Sequence, residues 1–237
     1  MRIGTLFISF FIMVLFLFQA YAQNENVLIR EEFRDLEDWR PLHFPKIKKH
    51  STYSIVQEEG KTYLRTASIA SASAIVHKKE FDVYEYPRMR WKWKAENVYK
   101  KGNVKEKSGD DYPLRVYVIF KYDPLRASLG QKIRYGLAKK IYGEYPPHSS
   151  LSYIWANRKD EQGIVTNPYA DESKMVIREA GPDRIGQWRE ENVHVVDDYR
   201  KAFGADPPAI ASVAVMNDSD NTGERSVSYI EYIEVYK

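Results

Sequence analysis

The sequence predicts a mainly β protein, a jelly-roll-like antiparallel β-sandwich with two short helical insertions. Three observations carry that expectation. About ten short runs alternate apolar and polar residues between clusters of turn-forming residues. The run Arg88–Ala95 is apolar on one face and cationic on the other, as a strand half-exposed at a sheet surface should be. No regular alternation of strands with helices appears, which argues against a parallel α/β sheet.

The strands follow in order. Val27–Phe33 opens the series, and Asp35–Trp39 follows with a turn. Ser51–Gln57 and Lys61–Ser68 flank a Glu-Glu-Gly-Lys hairpin turn, with Gly60 where a positive φ is useful. Further strands are expected over Ala72–Phe81, Arg88–Ala95, Leu114–Tyr122, Leu151–Asn157, Lys174–Glu179, Ala209–Met216 and Val227–Tyr236. In Arg88–Ala95, Met89, Trp91, Trp93 and Ala95 share the core face, and Arg88, Arg90, Lys92 and Lys94 share the other. That cationic face reads as a solvated surface that deters edge pairing; its sharper alternative is a stacking surface for an acidic polymer. Leu114–Tyr122 is apolar enough on both faces to lie centrally in its sheet. Arg115 and Tyr117 then point together, away from Val116 and Val118. A buried Arg needs an anionic partner, and Asp110 and Asp111 just upstream are the candidates.

Two segments break the strand period. Leu129, Ile133, Leu137 and Ile141 recur every four residues within Arg126–Tyr142, a basic amphipathic helix expected to cap an open end of the sandwich. Gly130 and Gly136 weaken it as a free-standing membrane-surface helix. Val196–Phe203 forms the second, with Asp197 and Asp198 in its first turn, Gly204 as its stop and Pro207-Pro208 beyond.

The start of the chain reads as an address. Arg2 precedes the apolar run Ile3–Phe18, and Ala20-Tyr21-Ala22 supplies a small-x-small cleavage site. The run falls short of the roughly 20 residues a spanning helix needs. Residues 1–22 are therefore expected to be a signal peptide and 23–237 a single domain. Gln23 rather than Cys follows the cleavage site, which argues against a lipid anchor, and no second apolar run suggests a transmembrane segment. The expected location is the periplasm, with the extracellular space as the alternative. A total of 36 Lys+Arg against 33 Asp+Glu lacks the basic excess of a nucleic-acid binder. The chain has no Cys, which excludes thiol catalysis and thiolate metal sites and suits a bacterial envelope better than a disulfide-stapled secreted module.

Catalytic signatures are missing: no G-x-S-x-G, P-loop, G-x-G-x-x-G or H-E-x-x-H occurs. His43, His50, His77, His148 and His194 lack ligand spacing. What remains is a polar set at strand ends. Asp110 and Asp111 precede the Arg115/Tyr117 strand, and Asn157 ends the strand carrying Tyr153 and Trp155. The loop Asn217–Glu224 holds Asp218, Asp220, Asn221 and Thr222, the densest oxygen cluster in the chain. Asp218 and Asp220 suit a hard cation such as calcium, although polar hairpins use the same residues. No cofactor is expected beyond that structural calcium.

Assembled, the segments GDDYPLRVYVIF (109–120), LSYIWAN (151–157), NPY (167–169), DDYRKAFG (197–204) and MNDSDNTG (216–223) resemble a bacterial exported family, domain of unknown function 3047. The family brings no assigned activity. Its pattern maps onto Asp110, Asp111, Arg115, Trp155, Asn157, Asp218, Asp220, Asn221 and Thr222. It is loosely similar to galactose-binding-like jelly rolls, which also close on an I-x-x-I strand, here Ile230 and Ile233.

Three functions are consistent with these residues. The first is a non-enzymatic domain for a glycan or small polar ligand, using Asp110, Asp111, Arg115, Tyr117, Tyr153, Trp155, Asn157, Asn221 and Thr222, with Trp155 beside Asn157 as the stacking pair. The second is a glycan-active enzyme using Asp110 or Asp111 against Asp218 or Asp220. The third is an envelope interaction or scaffold protein using the basic strand or helix.

Overall fold

The structure, a computed structural model, describes residues 26–58, 60–125, 127–130, 132, 135, 136, 139 and 145–237. The expected signal peptide lies outside these residues, as does most of the expected Arg126–Tyr142 helix.

Two sheets form a sandwich. One has six strands: β1 (Val27–Glu31), β3 (Thr52–Glu58), β4 (Lys61–Ile69), β7 (Arg88–Ala95), β12 (Arg189–His194) and β14 (Arg225–Tyr236). Their order is β12-β7-β14-β4-β3, with β1 also on β14. The other has eight: β2 (Trp39–Leu42), β5 (Ala72–His77), β6 (Phe81–Asp82), β8 (Arg115–Phe120), β9 (Ser149–Ala156), β10 (Ile164–Asn167), β11 (Ala170–Ala180) and β13 (Ile210–Asp218). Their order is β10-β11-β9-β8-β13-β5-β2, with β6 on β13.

The alternation read from the sequence places the core. Met89, Trp91, Trp93 and Ala95 of β7 are fully buried, as are Val116, Val118 and Phe120 of β8, and the two sets meet between the sheets with Leu151, Tyr153, Trp155, Ile230 and Ile233. One side of the sandwich is closed by charge instead. Arg178 reaches Glu191 at 2.8 Å and Arg189 reaches Glu179 at 2.7 Å, joining β11 to β12.

Several details correct the sequence reading. The sandwich is not wholly antiparallel: β11 runs parallel to β9. The reason is β10, which forms a hairpin with β11 at the sheet edge, so β11 enters in the direction of β9. Strands β2, β10 and β12 were not expected. Pro41 breaks the pattern of β2, and β12 (REENVH) is polar because its inward Glu191 pairs with Arg178 rather than with a hydrophobe. Ala72–Phe81 divides into β5 and β6. Of the two expected helices, α1 (Val195–Phe203) is found whole, and of the other Leu129, Gly130, Lys132, Tyr135, Gly136 and Lys139 are described and helical. His194 Nδ1 accepts from the Asp197 amide, and Gly204, at φ 68°, sends its amide back to the Arg200 carbonyl at 2.8 Å.

Candidate functional site

The candidate site lies at one end of the sandwich, where β8 begins and β13 ends. The strand register builds it. Arg115 sits opposite Met216, and Asp218 lies two residues further along β13, so the alternation of strand side chains puts both on the outer face of the eight-stranded sheet. The Arg115 guanidinium binds Asp218 through both carboxylate oxygens, with Nε at 3.0 Å from Oδ1 and Nη2 on Oδ2. Arg115 Nη2 also donates to the Asp110 carbonyl at 2.7 Å, and Nη1 donates to the Tyr117 hydroxyl at 3.3 Å. The Tyr112 ring covers the guanidinium at 4.3 Å.

Asp218 was expected in a loop, and it is the last residue of a strand; it, rather than Asp110 or Asp111, is the main partner of Arg115. The Asp110 carboxylate stands 3.6 Å from Arg115 Nη1 and accepts from Asn167 Nδ2 at 2.9 Å. Asp111 turns the other way and organises the 219–223 turn. Its carboxylate accepts from the Asn221 side-chain amide at 3.1 Å and from the Thr222 backbone amide at 2.6 Å. Asn157 holds the backbone that carries Asp111: its Nδ2 donates to the Asp111 carbonyl at 2.7 Å and its Oδ1 accepts from the Tyr99 amide at 2.8 Å. This packing excludes a side chain at Gly102, whose Cβ would stand 2.1 Å from Asn157 Nδ2.

Charge is unevenly balanced here. Asp110, Asp111, Asp218 and Arg115 all have 5% or less of their surface exposed, and one guanidinium answers three buried carboxylates. Burial, with the Asp111 and Asp110 charges, pushes the Asp218 carboxyl up to about 8 against the pull of Arg115. Asp220, half-buried, is raised for the same reasons: burial first, then Asp111. Oxygens of Asp111, Asp218 and Asp220 lie within 4.8 Å of one another, the arrangement by which these residues could hold a cation. Asp110 Oδ1 accepts no hydrogen bond among the described residues.

The sequence-predicted residues Asp110, Asp111, Arg115, Tyr117, Asn157, Asp218, Asp220, Asn221 and Thr222 thus converge. Tyr153 and Trp155 do not. Both project into the core without exposed surface; Trp155 donates to the Gly181 carbonyl at 3.2 Å, and Tyr153 donates to Asp198 on α1 at 3.2 Å. The expected stacking pair of Trp155 and Asn157 therefore has no open face: Trp155 lies in the core, and Asn157, two residues on and just past the end of β9, is buried with its amide bonded to Tyr99 and Asp111. Nor do the four Asp residues form an open acid–base pair, since Asp111 and Asp218 are enclosed.

Two residues that the sequence reading left out of the site belong to it. Asn167 bridges Asp110 to the turn that follows, accepting from the Tyr169 amide at 2.9 Å. Tyr169 is 56% exposed, and its hydroxyl lies 2.6 Å from Asn221 Oδ1 and 3.1 Å from the Lys107 carbonyl. The signal was present in the Asn-Pro-Tyr segment, which was noted for family likeness and not for chemistry.

Solved structures with a similar layout include a family 11 carbohydrate-binding module of a cellulosomal cellulase of Clostridium thermocellum, at 9% identity and a TM-score of 0.44 over 89% of this chain and 93% of that one. A family 30 carbohydrate-binding module, also from a cellulosomal cellulase of Clostridium thermocellum, aligns at 10% identity and a TM-score of 0.40 over 88% and 97%. Lectin I-B4 of Griffonia simplicifolia aligns at 9% identity and a TM-score of 0.43 over 87% and 98%. These likenesses go no further than the layout of strands. No curated protein sequence matches the chain. Residues 37–234, which include all the motifs of the rim, match the family described as Protein of unknown function (DUF3047), and the chain belongs to that family.

Proposed function

We propose that this protein is an exported carbohydrate-binding β-sandwich, a single domain over 23–237 behind a signal peptide over 1–22, with its glycan seated at the acidic rim. The observation that carries the reading is Tyr169. Its ring is exposed, and two hydrogen-bond partners of its hydroxyl hold it in place beside Asp220, Asn221 and Asn167. A sugar offers an apolar face rimmed by hydroxyls, so an aromatic ring flanked by carboxylate and amide groups matches both parts of it. A ring fixed before binding loses little conformational freedom when the ligand arrives. The buried Arg115 network beneath serves as the rigid support that orients these groups.

A calcium ion among Asp111, Asp218 and Asp220 is the second component of the proposal, supported by the excess of buried carboxylate over guanidinium. The test is a glycan panel read by calorimetry with calcium and then with a chelator. Binding to a neutral glycan, lost in Tyr169→Ala at unchanged melting temperature, is expected. Equal binding by wild type and Tyr169→Ala would move the site away from the rim, and product formation by the wild type would replace the binding role by a catalytic one. Export is tested by the N-terminus of the protein recovered from the periplasmic fraction, expected to be Gln23.

A further inference from the structure

The outer face of the six-stranded sheet, the sheet that does not carry Arg115 and Asp218, holds an aromatic and cationic strip that the rim does not use. β7 contributes Lys92 and Lys94, β14 contributes Tyr229, and β4 contributes Lys61, Tyr63 and Arg65; all lie on one face because Tyr229 stands opposite both Lys94 and Arg65 in the ladders. Onto this face folds Trp188, from the segment that precedes β12. Gly186, at φ 74°, turns that segment and ties it down through its amide to the Ala95 carbonyl at 2.8 Å. Trp188 stacks on Tyr63 with ring centres 5.0 Å apart. The Lys94 ammonium lies 4.6 Å from the Tyr229 ring and 5.4 Å from Trp188, and that of Lys92 lies 5.7 Å from Trp188.

The strip's four cations, Lys61, Arg65, Lys92 and Lys94, share it with Glu58, Glu96, Glu190 and Glu231, and Arg65 is the one that no carboxylate among the described residues neutralises. Glu231 serves both Lys61 and Lys92, at 2.9 and 2.8 Å. Lys94 has Glu96 at 3.0 Å, itself substantially exposed. Arg65 makes no ion pair or hydrogen bond among the described residues, although it lies in the middle of the strip. A guanidinium without a carboxylate partner among the described residues, on the same sheet face as two ammonium groups and a tryptophan, is suited to a repeating anion that also offers apolar surface.

We propose that this strip is a second binding surface, for an acidic polysaccharide whose carboxylates meet Arg65, Lys92 and Lys94 while its sugar rings lie along Trp188 and Tyr229. The unpaired cation chooses the occupant: Arg65 offers a carboxylate-binding group that nothing described on this face neutralises, whereas the rim holds three buried carboxylates against one guanidinium. The surface is independent of the rim site, so either can fail without the other.

The test measures binding of polygalacturonate and of its fully methyl-esterified, neutral form to the purified protein. Polygalacturonate is expected to bind, with affinity falling about tenfold or more between low and physiological salt as surface charges are screened. Arg65→Gln alone should weaken it several-fold without a change in melting temperature, since no internal partner is lost, and Arg65→Gln with Lys94→Gln should abolish it. Trp188→Phe should retain binding and Trp188→Ala lose it. Tyr169→Ala should leave it intact. Equal affinity for the neutral polymer, indifference to Arg65→Gln, or loss in Tyr169→Ala would each overturn the proposal; the last would assign the polymer to the rim.

Discussion

Between the sheets, Trp91 lies 5.5 Å from Trp93 and 5.1 Å from Tyr153, and Trp93 lies 6.0 Å from Trp155, all without exposed surface. At the end of the same sandwich, equally enclosed, Arg115 stands among Asp110, Asp111 and Asp218. The two regions show what burial demands of different chemistry. The aromatic layer gains from area removed from water and tolerates tilted as well as edge-to-face contacts. It even leaves Trp91 Nε1 and Trp93 Nε1 without a partner, a loss of about 1–3 kcal/mol for each group that the packing of two indoles offsets. The rim also leaves Asp110 Oδ1 and the Tyr112 hydroxyl without a hydrogen bond among the described residues, but what it buries is charge. Each carboxylate there is fixed by directed bonds, and moving one residue leaves a charge in low dielectric. Buried ion pairs seldom stabilise more than hydrophobes of the same volume would, so the rim is better explained by the exposed groups it holds in place than by stability.

The sharpest way to break this comparison is to remove the one cation of the rim. Arg115→Met fills similar space but removes the one cation that the buried Asp110, Asp111 and Asp218 carboxyl groups share, and the expected loss is about 5 kcal/mol or outright failure to fold. Urea unfolding measures it. A loss under about 1 kcal/mol would mean that the carboxylates already take up protons at no cost, and the rim would be no more demanding than the core. Trp155→Ala is expected to follow at about 3–5 kcal/mol, through lost transfer energy and the cavity left between the sheets. It should leave the rim contacts in place, because Trp155 makes none of them: its indole bonds the Gly181 carbonyl and packs on Trp93.

Titration separates the regions without removing either. The folded Asp218 carboxyl keeps its proton to about 8, whereas the unfolded chain releases it near the ordinary value of 3.8. Between those values the native state binds more protons than the unfolded one, so stability falls as pH rises through that window, by at most about 1.4 kcal/mol per unit from this group. Below it both states are protonated and above it both are ionised, so the dependence flattens. Unfolding in chelator at several pH values should show this decline in wild type and in Trp155→Ala, and a much shallower one in Asp218→Asn. The same slope in all three would place the pH dependence elsewhere.

Legibility in the sequence follows the same division. The aromatic layer was readable because a period of two is local: Met89, Trp91, Trp93 and Ala95 announce their face without reference to any other strand. The rim was readable only as a set of residues. That Arg115 would choose Asp218, 103 positions away, over Asp110 depends on the register between β8 and β13, which no short-range pattern carries. Trp155 misled because an aromatic next to an amide looks the same in sequence whether it faces a ligand or the core. Tyr169 stands in the sequence only within the Asn-Pro-Tyr segment that carries the family resemblance, and only the fold sets that segment beside Asp110 and Asn221. Strand β12 was hidden by its charges, which pair inward across the sandwich edge.

The smallest effect expected is also the one whose sign is most informative. Asp220 is the half-buried member of the carboxylate group; burial and the Asp111 charge hold its carboxyl above the ordinary range, so in the metal-free protein its ionised form is a strain on the rim. Asp220→Asn keeps the shape and removes the charge. In chelator the variant should therefore be as stable as wild type or slightly more so, within about 0.5 kcal/mol, as for most substitutions at partly exposed sites. If calcium binds there, adding it should raise the melting temperature of wild type and leave the variant unmoved, because the ion stabilises only the state that binds it. Destabilisation of the metal-free variant by more than about 1 kcal/mol would show Asp220 to be a fixed support like Asp111. The boundary between scaffold and ligand-facing groups would then have to be drawn further out, at Tyr169 itself.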